Sequence, residues 1–177
     1  MKRKITRDIT RIALFAAVMC VSAFVYIPLP VPITMQIFVM FASLFVLGGK
    51  CGSIVVFIYI AIGALGLPVF SGFSGGISRI FDATGGYIIG MLLASLLWWL
   101  LDSVLPKKPS FRIINSLTSL LLIYLFGTLW FTFLYTNGEK TIGTVLLSCV
   151  VPFLVPDVLK IYLAYYVSRK IPNRFLS

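Results

Sequence analysis

Histidine is absent from this 177-residue chain. That absence removes His-based catalytic triads, zinc–histidine sites and haem–histidine ligation together. Carboxylates are scarce too, with five Asp and Glu against fifteen Lys and Arg, so general acid–base chemistry has few groups to draw on. The three cysteines, Cys20, Cys51 and Cys149, lie inside or beside apolar runs. Their odd number and spacing match no disulfide framework or metal motif, and they read as small packing residues. No resident cofactor or metal is expected. Charged residues make up 11% of the chain, where a soluble domain carries about 25%.

What is abundant is apolar surface: 60% of residues are hydrophobic and the mean hydropathy is +1.06. A soluble fold of this size has too little interior to hide it, so lipid must solvate much of the chain. The formal charge of +10 invites a nucleic-acid reading, but the basic residues form no single face. They cluster in short segments between apolar runs, as at the cytoplasmic margins of membrane proteins. Nucleic acid is therefore not an expected partner. The basic start Met1–Arg11 and the run after it imitate a signal peptide. The run continues to Ile27 without a small-residue cleavage site, and further spans follow, so it reads as a first helix.

A membrane span needs about 20 mostly apolar residues. Six candidates occur, at roughly 10–27, 33–48, 52–68, 83–102, 112–135 and 142–169. Turn chemistry separates them: Pro28, Pro30 and Pro32; Gly48, Gly49 and Gly52; Pro68 with the Gly/Ser stretch 71–76; Pro106 and Pro109 around Lys107 and Lys108; and Asn137-Gly138-Glu139-Lys140. Six spans put both termini on one side. Lys2, Arg3, Lys4, Arg7, Arg11, Lys50, Lys107, Lys108, Arg112, Arg169, Lys170 and Arg174 all fall on that side, against Arg79 and Lys140 on the other. Both termini are thus expected in the cytoplasm. The expected fold is a single all-α membrane domain over residues 1–177.

Ionisable residues at membrane depth cost about 2.5–3.5 kcal/mol each, so they need a reason to be there. Within the last span, Pro152 and Pro156 break the helical pattern, and a new helix is expected to start near Pro156. Asp157 would then lie in its first turn and Lys160 one turn further on the same face. The two either neutralise each other to tolerate burial or form a polar clamp at a solute cavity, since broken helices with polar ends are where transporters bind. The Gly-rich loop from Ser71 into Ala83-Thr84-Gly85-Gly86-Tyr87 carries Arg79 and Asp82. Its glycines permit close backbone approach. Arg79 is open to two readings, a carboxylate ligand or half of a surface pair with Asp82. Prolines stiffen 28–32, where Thr34 and Gln36 offer neutral hydrogen-bonding groups. On the first helix, Ala13 and Ala17 are small residues four apart, a spacing that admits close helix approach. Most aromatics, among them Tyr26, Trp98, Trp99, Trp130 and Tyr135, read as interfacial anchors near span ends.

In order, Pro30-Val31-Pro32-Ile33-Thr34-Met35-Gln36, Gly66-Leu67-Pro68-Val69-Phe70, Gly75-Gly76, Thr84-Gly85-Gly86-Tyr87 and Pro152-Phe153 leading to Asp157 and Lys160 resemble BioY, the biotin-specific substrate-binding (S) component of energy-coupling factor (ECF) transporters. The resemblance covers nearly the whole chain. It departs at Asp82-Ala83, where the family commonly has Gly-Pro, and at Val155-Pro156, where it has Pro-Gly. It implies a six-helix S-component fold in a bacterial or archaeal cell membrane, with biotin held by Asp157, Lys160, Arg79, Tyr87, Thr34, Gln36, Gly75 and Gly76. It also implies a transmembrane coupling protein and two ATPase subunits as partners, with Ala13 and Ala17 as the docking face. ATP hydrolysis would reside only in those partners. The rivals are an S component for riboflavin or thiamine, a small membrane-embedded enzyme, and a structural or channel subunit.

Overall fold

The computed structural model describes residues 2–29, 31–106 and 108–171, the side chains of residues 2–4 excepted. Pro30, Lys107, Arg174 and the side chains of Lys2, Arg3 and Lys4, which the sequence reading used, lie outside that description. The chain is a helical bundle of α1 (Lys2–Ser22), α2 (Gln36–Ala64), α3 (Gly85–Val104), α4 (Pro109–Trp130), α5 (Ile142–Cys149) and α6 (Val151–Lys170). Among the described residues, four helical stretches are long and apolar enough to cross a membrane: Gln36–Ala64, Gly85–Val104, Pro109–Tyr135 and Val151–Lys170.

The α2 segment is folded in two at Gly48, whose φ of 80° and ψ of 167° break the helix. Glycine adopts that conformation without the Cβ penalty. A Cβ on Gly52 would come within 2.9 Å of the Leu44 Cα, an approach that a straight helix forbids. Further along, Gln36 hydrogen-bonds Tyr59, 23 residues away, a separation of about 34 Å in a straight helix. The arms 36–47 and 49–64 are therefore antiparallel, and the expected helices at 33–48 and 52–68 are these two arms.

The arms of α2 form the hub of the bundle, packing against α1, α3 and α6, while α3 pairs with α4. Glycines set that last pair. A Cβ on Gly86 would fall 2.2 Å from the Trp130 Cβ, and one on Gly90 3.2 Å from the Ile123 Cα. With two small residues one turn apart, the α4 ridge of Ile123, Gly127 and Trp130 can lie almost on the α3 backbone. Polar ties bind the buried seams. Ser53 Oγ sits 2.8 Å from the carbonyl oxygens of Gly49 and Ser95, and Asn115 donates to the Trp98 carbonyl at 3.0 Å. Large apolar side chains such as Ile9, Leu14, Phe57, Leu121 and Leu147 point outward, as a lipid-facing surface requires.

Two loops cap one end. Strand β1 (Tyr26–Ile27) pairs antiparallel with β2 (Ile33–Thr34), which turns the proline-rich segment into a hairpin. The segment 65–84 folds through a Phe70–Ser74 bridge and a 3-10 turn at Ile77–Ile80. Arg79 and Lys140 belong to this end, whereas Arg7, Arg11, Lys50, Lys108, Arg112, Arg169 and Lys170 gather toward the other.

The last expected span differs from its expectation. The break falls at Val150 (φ −125°, ψ −52°), and α6 starts at Val151 with Pro152 in its first turn and Pro156 inside it. Pro152 fills a position whose N–H is unpaired in any helix. Pro156, four residues on, forfeits only the one bond that the Pro152 carbonyl would have accepted. Asp157 consequently sits in the second turn rather than the first. The Pro109–Trp130 helix, expected at 112–135, ends in a π-helical turn at Phe131–Tyr135.

Candidate functional site

The capped end of the bundle holds a two-chamber cleft. The inner chamber, about 60 Å³, is lined by Val31, Pro32, Thr34, Gln36 and Ile37 from the hairpin and the start of α2, by Tyr59, Phe70 and Ser71, by Thr84, Tyr87, Ile88 and Met91 of the α3 end, by Ile123 and Tyr124 of α4, and by Phe153, Asp157 and Lys160 of α6. The outer chamber, about 300 Å³, shares Pro32, Ser71 and Thr84 with it and adds Tyr26, Arg79, Asp82 and Tyr135 among others. Together they fall near the lower end of the roughly 300–1,000 Å³ usual for small-ligand sites.

Polar groups form two hydrogen-bonded clusters in the lining of the inner chamber. In the first, Lys160 Nζ lies 2.7 Å from Asp157 Oδ1, and the Tyr124 hydroxyl donates to Asp157 Oδ2 at 2.9 Å. Asp157 is 3% exposed and Lys160 7%, so this is a buried ion pair and not a surface one. Such a pair persists in a low-dielectric interior because further hydrogen bonds satisfy it. In the second, Thr34 Oγ1 donates to Gln36 Oε1 at 2.8 Å, and Gln36 Nε2 donates to the Tyr59 hydroxyl. Tyr59 is 3.3 Å from the Val69 carbonyl oxygen in turn. The rest of the lining is mostly apolar. This is the usual small-ligand design of a greasy slot with a few fixed polar contacts.

Of the residues marked from sequence, Thr34, Gln36, Tyr87, Asp157 and Lys160 converge on the inner chamber. Tyr87 arrives because Gly127 leaves room for its ring, where a Cβ would come within 2.4 Å. Its hydroxyl reaches the Cys149 carbonyl at 3.4 Å, near the α5–α6 break. Arg79 lines only the outer chamber and is paired with Asp82 at 2.6 Å. Asp82 also accepts from the Ala83 N–H at 2.7 Å, and its carbonyl takes the Trp130 indole N–H at 3.2 Å. Gly75 and Gly76 line neither chamber. A Cβ on Gly75 would meet the Leu67 carbonyl oxygen at 2.2 Å, and Gly76, at φ 98°, donates its N–H to the Gly63 carbonyl at 2.7 Å. Their visible work is to fold the loop against the bundle. Ala13 and Ala17 lie far from the cleft in sequence and are exposed on α1.

Sequence reasoning missed Tyr59 and Tyr124. Both are buried, with their hydroxyls turned inward to Gln36 and Asp157 rather than out to the lipid interface where tyrosines anchor. A tyrosine at that depth needs a partner for its hydroxyl, and that requirement was the available signal.

The BioY family model matches residues 1–177. The chain belongs to the BioY family. Among similar proteins, a probable biotin transporter BioY of Pyrococcus horikoshii is 37% identical over 167 residues, 93% of this chain and 96% of that one. The biotin transporter BioY of Thermotoga maritima is 34% identical over 168 residues, covering 93% and 95%. A crystal structure of the S-component for biotin from an ECF-type ABC transporter superposes with a TM-score of 0.85 at 25% identity, over 100% of this chain and 99% of that one. This BioY-family member therefore has the S-component fold that the ordered motifs implied.

Proposed function

We propose that this chain captures biotin from outside the cell as the S component of an ECF-type importer. One observation carries the reading: a buried carboxylate and ammonium, 2.7 Å apart, line a mostly apolar cleft. The ureido ring of biotin has two N–H donors and a carbonyl acceptor. Asp157 accepts from the former and Lys160 donates to the latter or to a neighbour. Gln36 and Thr34 supply neutral polar contacts from the second cluster. The thiophane ring and valeryl chain lie against Tyr87, Met91, Ile123 and Phe153. The carboxylate points outward to the larger chamber, where Arg79 meets it. The membership in the BioY family and the biotin transporters among the relatives support the choice of ligand.

In this reading the chain crosses the bilayer six times, with the two arms of α2 as separate crossings and both termini in the cytoplasm. The gathering of basic residues at the end opposite the cleft supports that orientation. Ala13 and Ala17, exposed on α1, form the face on which a transmembrane coupling protein docks, and two ATPase subunits drive release inside. The chain performs no chemistry on its cargo.

Isothermal titration of the purified protein with biotin, riboflavin and thiamine tests the assignment. Saturable binding of biotin alone is expected; no biotin binding at micromolar concentration, or tighter binding of another vitamin, rejects it. A site built to hydrogen-bond a ureido group should discriminate strongly against an analogue that lacks one.

A further inference from the structure

We infer that Tyr124 is a positioning residue for ligand recognition, holding the Asp157 carboxylate in the orientation that presents a lone pair to the cleft. The inference deepens the capture reading above and rests on it. Lys160 cannot do this alone. It stands one turn from Asp157 on the same helix, and the terminal torsion of an aspartate is broad, so an ion pair within one helix leaves the carboxylate plane loosely set. Tyr124 comes from α4, across the bundle, and its hydroxyl takes Oδ2 at 2.9 Å while Lys160 takes Oδ1 at 2.7 Å. Two donors from two helices fix the plane. A carboxylate has about four lone-pair sites, so one on each oxygen remains for a ligand. The tyrosine itself is held: it is 6% exposed, and its helix is drawn against α3 by Gly86, Gly90 and Gly127. Its burial inside the bundle also excludes the interfacial-anchor role that tyrosines play at helix ends.

The test is a mutant cycle read by titration with biotin and with desthiobiotin, which keeps the ureido group and lacks the sulfur. Tyr124→Phe removes one hydroxyl and preserves the ring. It should weaken both ligands about tenfold and equally, as loss of a hydrogen bond to a charged group does. In an Asp157→Asn background the same change should add less than twofold, because its effect passes through the carboxylate. A crystal structure of Tyr124→Phe should show the Asp157 carboxylate rotated from its present plane. Unchanged biotin affinity in Tyr124→Phe, losses that multiply in the double variant, or an unmoved carboxylate each overturn the inference and leave biotin capture standing. A wild-type protein that binds no biotin overturns both.

Discussion

Lys160 and Asp157 neutralise each other at 2.7 Å with less than a tenth of either residue exposed. Taking away one partner strands the other's charge in a low-dielectric interior, at about 3–5 kcal/mol, whereas replacing the pair with apolar groups of similar size is often neutral. Lys160→Met should therefore lower the thermal unfolding midpoint in detergent sharply. Adding Asp157→Leu and Tyr124→Phe to it should recover most of the loss, yet biotin binding should remain abolished. A triple variant that still binds would mean the cluster serves stability alone.

One close helix contact of the site can be tested without touching a polar group. A Cβ on Gly127 would press on the Tyr87 ring at 2.4 Å, whereas one on Gly143 meets nothing within 4 Å. Gly127→Ala should push Tyr87 into the inner chamber and weaken ligand binding at least tenfold. Gly143→Ala should leave binding unchanged and, within a helix, stabilise slightly. Equal behaviour of the two variants in titration would separate Tyr87 from recognition.

The polar residues of the cleft were legible in the sequence because each is costly against an apolar background. Asp157 and Lys160 need a reason to sit at membrane depth, Thr34 and Gln36 are polar groups at the mouth of a helix after the proline-stiffened loop, and all four line one chamber. Tyr59 and Tyr124 were not legible in the same way. An aromatic ring in an apolar helix is ordinary, and only the depth of its hydroxyl distinguishes a network member from an anchor. The helix start expected near Pro156 lies five residues beyond the observed start at Val151, because the sequence shows two prolines and does not show that Pro152 suits the first turn of α6 while Pro156 is accommodated inside it. Gly75 and Gly76 were marked for ligand approach, yet their tight contacts are with Leu67 and Gly63. A glycine run reports that something comes close, and the sequence alone does not say whether that is a ligand or the chain itself.

The two capping loops meet through Phe24 and Phe73, stacked at 4.5 Å between centroids and 15° between planes. Phe73 holds a φ of 55°, an uncommon conformation for a bulky residue, so this contact is part of what keeps the outer loop in place. An aromatic pair of this kind contributes about 0.5–1.5 kcal/mol. Phe24→Ala and Phe73→Ala should each speed biotin dissociation several-fold with little change in association rate, and the double variant should match the worse single one. Stopped-flow displacement of a fluorescent biotin derivative measures both rates. Unaltered dissociation would show that the loops do not retain the ligand.

Arg79 offers the cleanest test of how the ligand is oriented. Its guanidinium now holds Asp82 at 2.6 Å, and both side chains are partly exposed, so the pair itself contributes little to stability. If a ligand carboxylate points to the outer chamber, the guanidinium can engage it with a donor not used by Asp82. Wild type should then prefer biotin over biotinamide, and Arg79→Gln should lower biotin affinity about three- to tenfold while leaving biotinamide unchanged. Added salt should erode the wild-type preference, because charges this close to solvent are screened. Should Arg79→Gln weaken the acid and the amide alike, the residue is acting on the loop rather than on the carboxylate, and the ligand's tail must be met elsewhere in the outer chamber.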